Sequence, residues 1–438
     1  MSDAAPAISR KRRVIRNLAL LGGGSGAAAA LTLGAVAINS RALSLQEFGT
    51  YALLQTSALL VAGLFTFATQ QPVIKLGMAA LHADDRPRFE RIVGMGLAAD
   101  TASAVCAALV AGAAVLFMAG LVGVPPSARS AALIVAASLA FQGYRTSEGV
   151  FRAFDRFDAL GAIQVGAAIV QFAGAALLWW IDAPFIAYGA LAAIAIALPS
   201  VLQLGGALAI LHRRGMRPRS SGLSTPSADR NEFAAYCGST WATGSLDTIR
   251  MNGDVPLIGL VVSVEAAGIY NVARQLAGIL RKFVQIYASV LFPELATLAA
   301  QRNFEGAKRV LRRIVLVTFA ITTVLVAGAA VFGGLALGLL FGEEFRAGHA
   351  ILVLLFAAAG IQLLSATYSM YVQAFDGPIA IFHAYILATI AFALVILPGL
   401  HVLGLIGAGL AQIAFFTVLT LACFRRLARA GAQGKDLP

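Results

Sequence analysis

Charge is scarce in this chain. Charged residues fill 12% of its 438 positions, half of the ~25% that an ordinary soluble domain carries. That shortage excludes a water-facing enzyme and a disordered chain. Cysteine is rarer still: Cys106, Cys237 and Cys423 each lie in or at the edge of an apolar run. Without CxxC or paired spacing they make neither a disulfide framework nor a zinc site. His82, His212, His349, His383 and His401 are scattered and form no HExxH-type pair. A Walker motif is also missing. Gly22-Gly23-Gly24-Ser25-Gly26 imitates a phosphate-binding loop, yet no strand precedes it and no Lys-Ser/Thr follows. Inside an apolar helix it reads as small-residue packing or a flexible point. No metal, cofactor, catalytic residue or enzymatic activity is therefore expected.

What is abundant is apolar. Hydrophobic residues make up 59% of the chain, and the mean hydropathy is +0.82, so its solvent is mostly lipid. A formal charge of +12 ordinarily suggests nucleic acid. Here the basic residues sit in short connectors between apolar runs, not on one folded face, and no nucleic-acid partner is expected. Arg10-Lys11-Arg12-Arg13 followed by an apolar stretch could pass for a secretory signal. The internal repeat described below instead gives that stretch a permanent partner.

A bilayer core takes roughly 20 apolar residues per helix. Apolar runs fall near 17–40, 50–75, 92–121, 130–151, 159–181 and 184–211. After a polar break they resume near 234–262, 266–292, 312–340, 348–375, 378–399 and 402–424. Lipid offers no partner to an unpaired amide, and the runs are too long for barrel strands. The expected fold class is an all-α polytopic membrane protein with twelve transmembrane helices.

With the amino terminus in the cytoplasm, twenty-five of the 33 basic residues fall on the inner side. Three (Arg41, Arg129, Arg346) fall outside, so both termini are expected in the cytoplasm. The remaining five lie within spans: Arg145, Arg250, Arg274, Arg281 and Lys282.

The chain also repeats. Ser44-Leu45-Gln46-Glu47-Phe48-Gly49-Thr50-Tyr51 matches Ser263-Val264-Glu265-Ala266-Ala267-Gly268-Ile269-Tyr270 at an offset of 219. Ala153-Phe154-Asp155 matches Ala374-Phe375-Asp376, and Pro72 matches Pro293, both at 221. Three matches at a nearly constant offset indicate a duplication. The expected organisation is a basic cytoplasmic tail (1–16), a six-helix half (17–211), a basic Ser/Pro/Gly-rich linker (212–232), a second half (233–424) and a cytoplasmic tail (425–438). Six is even, so both copies enter the membrane the same way, related by a parallel pseudo-two-fold axis along its normal. Such halves rock about a central cleft, here expected to be lined by spans 1, 2, 4, 7, 8 and 10.

A basic start, a Gly-rich first helix and Ser44-Leu45-Gln46-Glu47-Phe48-Gly49-Thr50-Tyr51-Ala52 together resemble the polysaccharide-transporter family. That family is the oligosaccharide-flippase branch of the multidrug, oligosaccharidyl-lipid and polysaccharide exporter superfamily. Nearly the whole chain takes part in the likeness. The resemblance implies a flippase moving a polyprenyl-diphosphate-linked oligosaccharide across the bacterial inner membrane by alternating access. Its setting would be O-antigen (lipopolysaccharide), exopolysaccharide or capsule synthesis. Implied partners are that lipid-linked oligosaccharide, membrane lipids, and the polymerase and glycosyltransferases of the same process. Two rivals stand beside it: a cation-coupled multidrug exporter of the same superfamily, and a membrane glycosyltransferase or polysaccharide polymerase. A lipid scramblase remains a further reading. Surplus intramembrane arginine speaks against the first rival, and the lack of a sizeable outer loop against the second.

Ionisable groups at bilayer depth are costly and are usually turned toward the bundle interior. Asp247, Arg250 and Asp254 recur at i, i+3 and i+7 in span 7, where Gly253 and Pro256 predict a kink. They read either as a self-neutralising ion pair or as a cavity lining. Arg274 lies about nine residues into span 8, roughly 13 Å from its outer end. Arg281 and Lys282, two turns further in, either snorkel or bind. Arg145 and Glu148 form an i, i+3 pair in span 4, read as a satisfied pair or as the rim of a cleft. A diphosphate needs such cations, because a guanidinium fork holds two phosphate oxygens and keeps its proton. The expected substrate-binding cleft is therefore Arg145, Arg250, Arg274, Arg281 and Lys282. Glu148, Asp247 and Asp254 would balance their charge or carry a coupling proton.

Overall fold

The structure is a computed structural model. It describes residues 7–118, 125–218, 227–301, 304–375 and 378–433, and the side chains of Arg281 and Lys282 lie outside that description. Every regular element among the described residues is helical. In chain order they are α1 (Ala7–Ala42), α2 (Leu45–Phe65), α3 (70–82), α4 (Arg86–Met118), α5 (Arg129–Ser138), α6 (Arg145–Ala153), α7 (Phe157–Trp180) and α8 (Phe185–Arg213). They continue with α9 (Ser227–Asn252), α10 (Asp254–Val261), α11 (Val264–Ala300), α12 (Phe304–Phe341), α13 (His349–Phe375), α14 (Pro378–Leu403) and α15 (Leu405–Gln433). A π-helical stretch, Val73–Gly77, interrupts α3.

Among the described residues, eight helical stretches are long and apolar enough to cross a membrane, and they fall on α2, α4, α7, α8, α12, α13, α14 and α15. Their outward faces confirm the solvent. Leu109, Phe117, Val324, Val331, Phe332 and Leu394 are all more than half exposed. A soluble protein avoids such an apolar surface, whereas a bilayer requires it. The chain is a multi-pass membrane protein.

The described chain forms two compact units. The first takes in residues up to Leu43 and Thr50–Pro256; the second takes in Ser44–Gly49 and the chain from Leu257. The cut at Pro256 falls one helix later than the segment 212–232, because α9 packs within the first unit. Its N-terminal end is tied to α4: Arg88 Nε stands 3.0 Å and Arg91 Nη2 3.6 Å from the Asp229 carboxylate. Helix thus begins at Ser227, inside the segment expected to be linker.

In the first unit α1 lies along α7, α5 and α7 against α8, and α4 against α5 and α6. The close approach of α1 to α7 uses glycine, since a Cβ on Gly24 would stand 3.5 Å from the Gly161 Cα. Phe89, Ile92 and Val93 of α4 pack with Phe151 of α6, Leu211 of α8 and Phe233 of α9.

The second and fourth apolar runs, expected as unbroken spans, are each interrupted, at 66–69 and 142–144. Gly143 turns the chain at φ +90, a conformation that costs glycine little and other residues much. Pro72 sits in the first turn of α3, where its missing N–H costs nothing. Backbone groups freed by such breaks cannot be left to lipid, and three near them find partners within the unit. The Trp241 indole N–H donates to the Leu64 carbonyl at 2.8 Å. The Gly143 N–H donates to the Ser200 hydroxyl at 3.3 Å. The Thr146 N–H donates to Asp100 Oδ2 at 2.8 Å.

In the second unit α11 and α15 pack on α13, α12 on α13, and α14 on α15. Phe341, Phe345, Tyr270 and Phe415 are fully buried there, and Phe48 meets Phe345 edge-on at 5.3 Å. The repeated motif now has a physical cause. Ser44 and Glu47 form a capping box at the start of α2: the Glu47 N–H donates to the Ser44 hydroxyl at 3.3 Å, and the Ser44 N–H to Glu47 Oε2 at 3.1 Å. Ser263 caps α11 alike, accepting the Ala266 N–H at 3.1 Å. The glycine of each motif is a contact point. A Cβ on Gly268 would lie 3.0 Å from the Gly49 Cα, and one on Gly49 would lie 2.1 Å from the Val264 carbonyl oxygen.

Candidate functional site: intramembrane charges and broken spans

In the first unit, α9 ends at Asn252 and α10 begins at Asp254, so span 7 is interrupted at Gly253 as its Gly and Pro predict. Arg250 and Asp247, one turn apart on α9, do pair: Arg250 Nη2 donates to Asp247 Oδ1 at 2.7 Å and Nε to the same oxygen at 3.2 Å. The partnership is lopsided, since the Arg250 side chain is 5% exposed and the Asp247 side chain 43%. A nearly buried guanidinium therefore leans on a carboxylate that reaches open space. Asp254 is buried at the start of α10, its Oδ1 accepting the Val255 N–H at 2.8 Å. It does not continue the α9 helix on which Asp247 and Arg250 stand.

Arg145 opens α6 directly after the break at 142–144. Helix α6 buries Thr146, Ser147, Val150 and Phe151 on one face and carries Arg145, Glu148 and Arg152 on the other. The pair expected between Arg145 and Glu148 exists, with Nη1 3.4 Å from Oε2, and Arg152 joins it through Glu148 Oε1. One carboxylate thus serves two half-exposed arginines and leaves a net positive charge on this face.

In the second unit, Arg274 of α11 donates from Nη2 to Asn271 Oδ1 at 3.3 Å. It lines a small, open recess with Tyr270, Gln362, Gln412 and Phe416. Ala277, Ala358 and Ala359 complete its apolar lining. The backbone of Arg281 and Lys282 belongs to α11, but their side chains lie outside the described residues. Among the described residues no group of His, Cys, Asp and Glu is placed to hold a metal ion.

One buried charge escaped the sequence reading. Asp100, in the middle of α4, is 1% exposed. Its Oδ1 accepts the Thr69 hydroxyl at 2.7 Å and its Oδ2 the Thr146 N–H at 2.8 Å. It thereby joins the N-cap of α3 to the first turn of α6, the two helices that resume after the breaks. A lone Asp inside the apolar run 92–121 was the available signal.

Apolar outward faces, interrupted helices and buried charges are what the fold brings together in a multi-pass membrane protein. The chain belongs to the polysaccharide biosynthesis protein family, whose model matches residues 14–299. It is similar to the inner membrane protein YghQ of Escherichia coli K12, at 24% identity over 270 residues, covering 60% of this chain and 74% of that protein. It is also similar to the probable low-salt glycan biosynthesis flippase Agl15 of Haloferax volcanii, at 22% identity over 168 residues, covering 38% of this chain and 36% of that one. Its fold matches the inward-facing conformation of a multidrug resistance MATE family transporter of the MOP superfamily. The TM-score is 0.76 at 13% identity, over 93% of this chain and 96% of the other. The fold is thus that of MOP-superfamily transporters.

Proposed function

We propose that the chain is a flippase carrying a polyprenyl-diphosphate-linked oligosaccharide across the bacterial inner membrane by alternating access, without covalent chemistry. It would serve O-antigen, exopolysaccharide or capsule synthesis, in the company of polymerase and glycosyltransferases. Twelve spans with both termini in the cytoplasm complete the picture, eight of them in stretches already apolar and long enough by themselves. The contact between the equivalent Gly49 and Gly268 supports reading the chain as a duplication of one six-span half. Membership of the polysaccharide family and the glycan flippase among its relatives support the substrate class.

What supports the proposal is a pair of guanidinium groups, one in each unit. Arg250 is held nearly buried in the first unit, and Arg274 faces a recess rich in amides in the second. A diphosphate is an anion that such forks bind in two places at once. The multidrug transporter shares the fold at an identity that says nothing of cargo, and a cationic drug would be repelled by these arginines. Arg250→Ala or Arg274→Ala should abolish polymer export while the protein still inserts at its normal level. Wild-type export in both variants would overturn the cationic-site reading.

A further inference from the structure

Asp100 stands about 21 Å along α4 from its cytoplasmic start, at 1.5 Å per residue, well inside the span. Among the described residues no lysine or arginine forms a salt bridge with it; the Thr69 hydroxyl and the Thr146 N–H donate to it. An unpaired carboxylate so deeply buried is costly in its ionised form, and a proton removes that cost. Protonation also inverts the chemistry of one oxygen, from acceptor to donor. The ionised form has the Thr69 hydroxyl and the Thr146 N–H as its donors.

We propose that Asp100 is a proton-binding site, and that its titration sets whether the resuming helices α3 and α6 are held to α4. The ionised carboxylate grips the start of both helices. A protonated one accepts more weakly and must find an acceptor of its own, so the grip on Thr69 and Thr146 loosens together. The surrounding ionisable groups leave this switch to Asp100. Arg145 of α6 and Cys237 of α9 are its titratable neighbours, and Arg145 is itself paired with Glu148. Lys75 of α3 is turned to Tyr236, and Glu148 to Arg145 and Arg152. Coupling of this switch to export rests on the flippase reading above; the proton site itself does not.

Trp241 reports on the site, because its indole N–H holds the Leu64 carbonyl beside the first break. The other two of the three tryptophans, Trp179 and Trp180, are removable as W179F and W180F. In that background, the full chain in lipid vesicles should show a one-proton transition in Trp241 emission between acid and neutral pH. Asp100→Asn should abolish the transition, and Glu148→Gln should leave it in place. Thr69→Val removes a donor that stabilises the ionised form, so it should move the midpoint to higher pH. That variant decides the matter if Asp100→Asn fails to fold. A transition that survives Asp100→Asn, a midpoint unmoved by Thr69→Val, or no transition at all would overturn the proposal. A midpoint that follows sodium concentration would assign the site to a metal cation and overturn it equally. Loss of polymer export in Asp100→Asn with the Trp241 transition also gone would tie the site to transport. Intact titration with failed export in Arg274→Ala would count against neither.

Discussion

Replacing Gly49 by alanine tests the contact beneath the repeated motif. The new methyl carbon would stand 2.1 Å from the Val264 carbonyl oxygen and 2.7 Å from its carbonyl carbon. Both are backbone atoms, and neither can rotate away as a side chain would. Ordinary contact needs more than 3.4 Å, so the starts of α2 and α11 would have to part by about an ångström. Overpacking of this kind costs about 1–3 kcal/mol where side chains can yield, and a rigid backbone places Gly49→Ala at the upper end. About 3 kcal/mol lowers a folded-to-unfolded ratio roughly 100-fold. Gly26→Ala is the control, since a Cβ there meets nothing within 4 Å and alanine improves helix propensity by about 1 kcal/mol. Thermal unfolding of the purified protein in detergent should put Gly49→Ala well below wild type and Gly26→Ala at or above it. Equal stability of the two variants would refute the backbone-contact argument.

Three further outcomes follow from the first unit. Trp241→Phe leaves the Leu64 carbonyl without its donor, costing about 1–3 kcal/mol, and hydrogen exchange should quicken selectively at 66–69. Glu148→Gln releases two half-exposed arginines, so the melting temperature should barely move, each pair being worth about 1 kcal/mol or less. Asp229→Asn unclamps α9 from Arg88 and Arg91, and should speed exchange in the first turns of α9 while leaving α7 unchanged.

How far the fold could be read from sequence depended on where each constraint lies along the chain. Apolar runs gave the helices, because hydropathy is local. The Gly253–Pro256 interruption was legible for the same reason. Breaks at 66–69 and 142–144 were not, since hydrophobic residues such as Phe65, Phe67 and Phe141 keep the average high across them. What makes those breaks tolerable lies far away in sequence: Asp100, Trp241 and Ser200 reach them from α4, α9 and α8. The Arg145–Glu148 pair was visible in its i, i+3 spacing, and Arg152 followed at i+4. The motif at 44–51 was recognisable as a repeat, yet its meaning, a cap followed by a glycine contact, needed the fold. Asp100 has no charged neighbour in sequence, and the groups it holds lie 31 and 46 residues away.

The central claim is that this chain moves an anionic lipid-linked glycan, and reconstitution tests it most directly. Purified protein in vesicles would be given a polyprenyl-diphosphate-linked oligosaccharide with a fluorophore on its sugar. A membrane-impermeant reductant would then quench only the outer leaflet. The account predicts that wild-type protein exposes the inner-leaflet pool to quenching, and that Arg250→Ala and Arg274→Ala do not. Quenching that stops at the outer half with the wild-type protein, or that proceeds equally in both variants, would contradict it.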